Sequence, residues 1–150
     1  MIVLKIKKVL KNKKQYLDLL LLADEQEDMI DRYLERGTMY VLDNNGIKAE
    51  CVVTNESDNV LEIKNIAVLP ECQGMGYGKS LIEFVAKEYS NRYTVLQVGT
   101  GDSPFTIPFY EKCGFVKSHS VENFFIDNYD HPIIECGVQL KDMVYLQMKI

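Results

Sequence analysis

Eight residues carry the clearest chemistry of this chain: Gln73-Gly74-Met75-Gly76-Tyr77-Gly78-Lys79-Ser80. Three glycines alternate here with larger residues. An apolar, strand-like run precedes them at residues 63–69, and an amphipathic helix is expected after them, from 81 to about 89. Strand, glycine loop and helix start together make an anion site. The first N–H groups of a helix have no partner within it, and the helix dipole favours negative charge there. Glycine lets the backbone take φ > 0 and approach the anion closely. We read the loop as a pyrophosphate cradle. Two nucleotide loops are near misses. Gly78-Lys79-Ser80 matches the end of the P-loop pattern G-x-x-x-x-G-K-[ST], but Gln73 stands where that pattern opens with glycine. Gly74 and Gly76 match the start of the dinucleotide pattern G-x-G-x-x-G, whose third glycine would fall on Lys79. A glycine-rich turn with no ligand is the plainer alternative. Each glycine inside an element costs about 0.5–1 kcal/mol relative to alanine, so three together argue for close approach.

The elements that must hold this loop follow from periodicity. Residues 2–9 alternate as a half-buried strand, with Ile2, Leu4 and Ile6 on one side. The basic run at 11–14 reads as a solvated turn, and 16–23 as a leucine-rich helix. Asp24 is placed to cap a second helix, with Glu27 as its capping-box partner and Gly37 as its end. Met29, Ile30, Tyr33 and Leu34 form that helix's apolar face. Its acidic face is either solvated or the lining of an entrance for cations. Strands are expected at 38–42 and 47–54, joined through Asn45-Gly46, and at 60–69, the longest and a central one. A buried strand at 93–98 ends in a break at 99–104, followed by a short helix ending at Gly114, whose start stays open because Pro104 and Pro108 could each occupy its first turn. Residues 115–125 and 143–150 read as two strands that pair antiparallel around a long, patterned connection. A helix crosses between the strands ending at Leu69 and starting at Tyr93, so those two should be parallel.

Composition excludes several classes. One hundred and fifty residues suit a single domain, 1–150. The net charge of −5 argues against a general nucleic-acid binder. No apolar run reaches about 18 residues, so no membrane span is expected. The first residues read directly as strand, and the expectation is a cytoplasmic protein without a signal peptide. The four cysteines form no C-x-x-C pair and there are two histidines, so no metal site is expected and the thiols stay reduced. A monomer and a homodimer are both compatible with the sequence.

Two motifs resemble the GNAT (GCN5-related) N-acetyltransferase superfamily. The loop fits that family's Q/R-x-x-G-x-G/A pattern at Gln73, Gly76 and Gly78. Phe109-Tyr110-Glu111-Lys112-Cys113-Gly114-Phe115 is similar to its second signature. The order of elements supports the likeness over 1–150. The resemblance implies an α/β fold: a mixed, mostly antiparallel central sheet with helices on both faces. It implies an acyltransferase with acetyl-CoA as co-substrate and no metal, acting by direct attack in a ternary complex. The acceptor would be a primary amine, on a small molecule or a protein.

That chemistry has four needs. The amine, with a pKa of about 10, must lose a proton. The thioester carbonyl must be polarised, the oxyanion stabilised, and the leaving thiolate given a proton or a hydrogen bond. By resemblance, the backbone of Ile66, Ala67 and Val68 meets the pantetheine arm, with the Val68 N–H as oxyanion donor. N–H groups of Gln73, Gly74, Met75, Gly76, Tyr77, Gly78 and Lys79 meet the pyrophosphate. Tyr110 faces the sulfur as general acid, or is a core tyrosine. Ser103 stands where relatives carry a pantetheine-binding asparagine. Glu62 matches the base of the histone-acetylating branch, acting directly or through a water; ordered waters alone, or a structural Glu62 paired with Lys64, are the alternatives. Pro108 within the helix departs from the pattern and is expected to tilt Tyr110. Acceptor recognition falls to the first two helices and the last two strands. The connection between those strands offers Asp127, Tyr129, Asp130, His131, Glu135 and Asp142, where a carboxylate and an aromatic could hold an ammonium; a packed loop is the alternative. Two other functions stay open. One is a CoA-binding module without turnover. The other is a nucleotide hydrolase, for which 95–101 offers no metal-holding aspartate before Asp102.

Overall fold

A computed structural model describes residues 4–150. Strand β1 (Lys5–Val9) is followed by helices α1 (Leu17–Ala23) and α2 (Glu27–Asp31), then by strands β2 (Thr38–Asp43), β3 (Ile47–Asn55) and β4 (Val60–Val68). Helix α3 (Tyr77–Tyr89) leads to β5 (Val95–Gly101), α4 (Thr106–Lys112) and β6 (Val116–Val121). Then come α5 (Phe124–Asn128), the short strands β7 (Ile134–Glu135) and β8 (Val138–Gln139), and β9 (Met143–Lys149). Ile2, assigned to the first strand, lies outside the described residues.

Seven strands form one sheet in the order β1-β2-β3-β4-β5-β9-β6. Neighbours run antiparallel except β4 and β5, which are parallel as the helical crossover requires. The expected mixed, mostly antiparallel sheet with helices on both faces is therefore present. Alternation along β3 divides the core. Cys51 and Val53 join Leu81, Val85, Leu96 and Leu146 on the α3 side. Val52 joins Leu20, Ile30, Leu34 and Met39 on the α1 side.

Helix α2 ends at Asp31, short of the expected Gly37, and turns carry Tyr33 and Leu34 to β2. Four further boundaries differ from the sequence reading, each for a physical reason. Helix α3 starts at Tyr77, four residues before the expected start. Gly76, at φ 86°, takes the left-handed turn before it, and Gly78 lies inside the first turn because a Cβ there would sit 3.1 Å from Phe109 Cζ. Strand β5 runs on to Gly101 rather than breaking at Gly99. A Cβ on Gly99 would meet Met143 Sδ and the Tyr145 ring at 2.9 Å, and one on Gly101 would meet Leu140 at 2.5 Å. These glycines admit side chains against bare backbone instead of ending the strand. The strand read at 115–125 stops at Val121, and Asn123, in the left-handed region, turns the chain into α5. Asp24 does not cap α2: Gln26 precedes that helix, with no side-chain cap.

Candidate active site

The sheet opens where β4 leaves β5. Their register ends at Ile63↔Val98, while β4 continues to Val68 and β5 to Gly101. A bulge precedes the opening: Val53 pairs with Ile63 and Val52 with Asn65, leaving Lys64 as the extra residue. The Leu69 N–H bonds Lys48 O. In an antiparallel ladder backbone groups alternate in direction. Asn65 and Ala67 therefore turn theirs to β3, and Ile66 and Val68 turn theirs into the gap. Of the three residues assigned to the pantetheine, two offer backbone to the gap. Ala67 lines it without doing so.

The glycine loop stands at one end of the same opening. Gly74 and Gly76 have φ of 81° and 86°, and a Cβ on either would meet nothing within 4 Å. Backbone approach is open there to a ligand. Among the described residues, no N–H from Gly74 to Lys79 finds an acceptor; the first of α3 to do so is Ser80, bonded to Gly76 O at 3.0 Å. Thirteen residues of helix stand behind these free donors. Not every side chain of the loop takes part. Met75 is exposed, and the Tyr77 hydroxyl accepts from Asn44 Nδ2 at 2.7 Å, tying the loop to the β2–β3 hairpin.

Loop and gap share one cavity of about 900 Å³, which also reaches Asp24, Tyr110, Phe125 and Tyr129. Tyr110 is buried, and its ring meets Phe109 and Phe115 edge-on at 5.2 and 5.7 Å. Its hydroxyl bonds no other group among the described residues. Burial, then the Cys113 thiol, holds its pKa well above the usual tyrosine range. Pro108 does not disturb it. Thr106 opens α4, so Pro108 falls in the first turn, where N–H groups lack helical partners anyway.

Two predicted residues are placed differently. Glu62 is not on the cavity wall. Its Oε1 accepts from Gln97 Nε2 at 2.6 Å and its Oε2 pairs with Lys64 Nζ at 2.8 Å. Gln147 Nε2 bonds Gln97 Oε1 at 2.7 Å, extending a polar row across β4, β5 and β9. Ser103 is buried and uses its Oγ locally, accepting from the Phe105 N–H at 3.2 Å. On β5 and α4, Thr100 and Thr106 line the cavity instead, sharing a hydrogen bond of 2.8 Å.

The connection between the last strands crosses to the first helices. Tyr129 Oη donates to Asp24 Oδ1 at 2.7 Å, His131 Nε2 meets Glu25 Oε1 at 2.9 Å, and Arg32 Nη1 donates to Asn128 Oδ1 at 3.2 Å. Phe125, Ile133 and Leu140 form a small core beneath. Asp142 is spent on the Asn123 N–H, Asp127 is exposed, and Glu135 reaches the cavity. Asp24 lines the cavity, a placement that sequence reasoning missed. Its position before an acidic helix signals a cap, and its partners Tyr33 and Tyr129 lie 9 and 105 residues away. Glu50 is a second surprise. It is fully buried with neither carboxylate oxygen in a well-formed hydrogen bond, and burial, only partly opposed by the nearby Ala67 N–H, holds its pKa well above the usual range. Among the described residues, no cluster of histidine, cysteine, aspartate or glutamate is arranged to hold a metal ion.

A parallel pair of strands parting beside a glycine-capped helix, with a tyrosine on the shared cavity, defines a CoA-type acyl-transfer site. Comparison with known proteins agrees. The model of the acetyltransferase (GNAT) domain matches residues 35–117. YvbK of Bacillus subtilis (strain 168), an uncharacterized N-acetyltransferase, is 36% identical over 136 residues, 89% of this chain and 88% of that protein. A GNAT family acetyltransferase from Elizabethkingia anophelis, solved with acetyl-CoA bound, superposes with a TM-score of 0.92 at 36% identity over 98% of both chains. A Bacillus subtilis acetyltransferase solved with CoA superposes at 0.88 with 34% identity over 99% of both. The chain belongs to the GNAT family and is an acyl-CoA-dependent N-acetyltransferase.

Proposed function

We propose that the protein moves the acetyl group of acetyl-CoA to a primary amine by direct attack in a ternary complex. One observation carries the reading: unpaired N–H groups of the glycine loop and gap-facing backbone of β4 border a single cavity that Tyr110 also lines. The N–H groups from Gly74 to Lys79 suit the pyrophosphate; that of Gln73, also expected to take part, is given to Pro70 O at 3.4 Å. Ile66 and Val68 suit the amide-bearing arm, and the Val68 N–H is the donor for the oxyanion. The amine nitrogen forms the new bond to the thioester carbon. The carbon–sulfur bond then breaks with its electron pair on sulfur. Tyr110 supplies a proton to that thiolate, and a proton lost by the ammonium restores the balance. Glu62 lies off the cavity wall with its oxygens engaged by Lys64 and Gln97, so it takes that proton only through a relay of water.

The test is amine-dependent release of CoA thiol, with the product identified by mass. Equal amounts of free CoA and N-acetylated amine are expected. Acetyl-CoA consumption that does not depend on the amine contradicts direct transfer.

A further inference from the structure

The cavity has a second end, and its chemistry narrows the acceptor; this inference rests on the amine reading above. At that end stand Asp24 and Leu22 from the close of α1, with Phe125, Tyr129 and Ile133 from the connection that crosses over them. Asp24 is half-buried, and both its oxygens accept phenols. Oδ1 takes Tyr129 at 2.7 Å and Oδ2 takes Tyr33 at 3.1 Å. Tyr33 Oη accepts in turn from Asn65 Nδ2 at 3.0 Å, and Asn65 also donates to Leu20 O at 3.0 Å. The network therefore reaches back to β4, one residue before the gap-facing Ile66. It fixes the carboxylate beside the strand expected to hold the thioester.

No lysine, arginine or histidine pairs with Asp24 among the described residues. An ionised carboxylate has about four lone-pair directions, and two phenols and the nearby Gln26 N–H still leave room for a cationic donor. A charge withdrawn from water calls for a counter-charge. The surroundings say what the rest of the ligand is. The Phe125 and Tyr129 rings stack at 5.6 Å and 22°, an aromatic wall suited to an ammonium and to an apolar body. Charged side chains on the cavity oppose a polycation. Few carboxylates are left for a second positive charge: Asp24 has no cationic partner among the described residues, Glu25 is already engaged by His131, and Glu135 shares the cavity with Lys112.

We infer that Asp24, held by Tyr33 and Tyr129, binds the acceptor's ammonium, and that the acceptor is a singly charged amine on an apolar body rather than a polyamine or aminoglycoside. Wild-type protein, Asp24→Asn and Tyr129→Phe are first titrated with acetyl-CoA by calorimetry. Rates of CoA release are then measured with 2-phenylethylamine, hexylamine, spermidine and kanamycin. Unchanged acetyl-CoA affinity in both variants is expected. In the wild type, kcat/KM for 2-phenylethylamine or hexylamine should exceed that for spermidine and kanamycin by about 10-fold. Asp24→Asn should raise the amine KM about 10–100-fold, the worth of a charge-assisted hydrogen bond, with a smaller change in kcat. Tyr129→Phe should raise it less. If Asp24→Asn does not fold, Tyr129→Phe and the wild-type comparison of 2-phenylethylamine with 2-phenylethanol as competitors decide; the neutral alcohol should bind about 10-fold more weakly. Preference for spermidine or kanamycin, an unchanged KM in the variants, or equal competition by the alcohol overturns this assignment and leaves acetyl transfer standing. Acetyl-CoA binding without turnover of either apolar amine also overturns it. A wild-type protein that does not bind acetyl-CoA fails the donor reading, and this inference falls with it.

Discussion

Tyr110 and Glu62 stand in different surroundings, which set what each can do. Tyr110 lines the cavity with a free hydroxyl, and burial raises its pKa. It therefore keeps its proton to well above neutral pH, as an acid must. Tyr110→Phe should lower kcat about 100-fold with acetyl-CoA affinity unchanged, and Glu62→Gln, acting through water, about 10-fold. Steady-state kinetics with separate calorimetry checks both. An unchanged kcat in either variant removes that residue from proton transfer. Glu50 makes a different prediction, about stability. Its carboxyl is fully buried with no well-formed hydrogen bond, and burial raises its folded pKa against the smaller, opposing effect of the Ala67 N–H. The contribution of such a group is intact below the unfolded value near 4.5 and is lost as pH rises through the folded value. Glu50→Gln keeps the shape and removes the charge. A gain of about 1 kcal/mol at pH 8 would raise Tm by about 2–4 °C, and the difference should shrink at pH 5. A lower Tm than wild type at pH 8 contradicts this account.

Among the elements, the connection that straps α5 and residues 128–131 to the turn before α2 depends most on pH. His131 lies between Asp130 and Glu25, whose hydrogen bonds raise its pKa above the ordinary 6.5. The stabilisation is fully present below 6.5 and is lost as pH rises through the raised value. The pair is exposed, so the effect is small. Amide hydrogen exchange at residues 128–133, corrected for intrinsic rates, should speed up about two- to five-fold between pH 6 and pH 9, and His131→Gln should remove the change. Equal protection at both pH values in the wild type would show that the histidine does not fasten the strap. The strap also marks a limit of local reading. Its polar residues are legible as a candidate ammonium site, but their partners are not. Asp24 looks like a cap because capping is a local rule, and its real partners are Tyr129, just past α5, and Tyr33, two residues past α2. Glycine runs mislead similarly. Gly99 and Gly101 look like breaks, yet β9 and Leu140 need their bare backbone.

The whole molecule is two half-sheets joined by the short parallel pairing Val60–Ile63 with 95–98. Beyond it the halves part and the cavity begins. The order of elements along the chain, the parallel pair and the two faces were legible, because alternation, the Asn45-Gly46 turn and the crossover rule act over short stretches; the place of β9 between β5 and β6 was not. The glycine loop was legible for the same reason. The bulge at Lys64, the division of β4 backbone between β3 and the gap, and the second end of the cavity arise only when distant strands meet. A ligand that spans loop and gap touches both halves, so its binding should be felt in global unfolding. The central claim is tested most directly by thermal unfolding with acetyl-CoA and, separately, with Mg-ATP. At about 100 times its Kd, acetyl-CoA should add roughly 2.7 kcal/mol, about 5–10 °C in Tm for a domain of this size, and Mg-ATP should add nothing. No shift with acetyl-CoA, or a shift with Mg-ATP alone, would contradict the assignment of the glycine loop and the mechanism built on it.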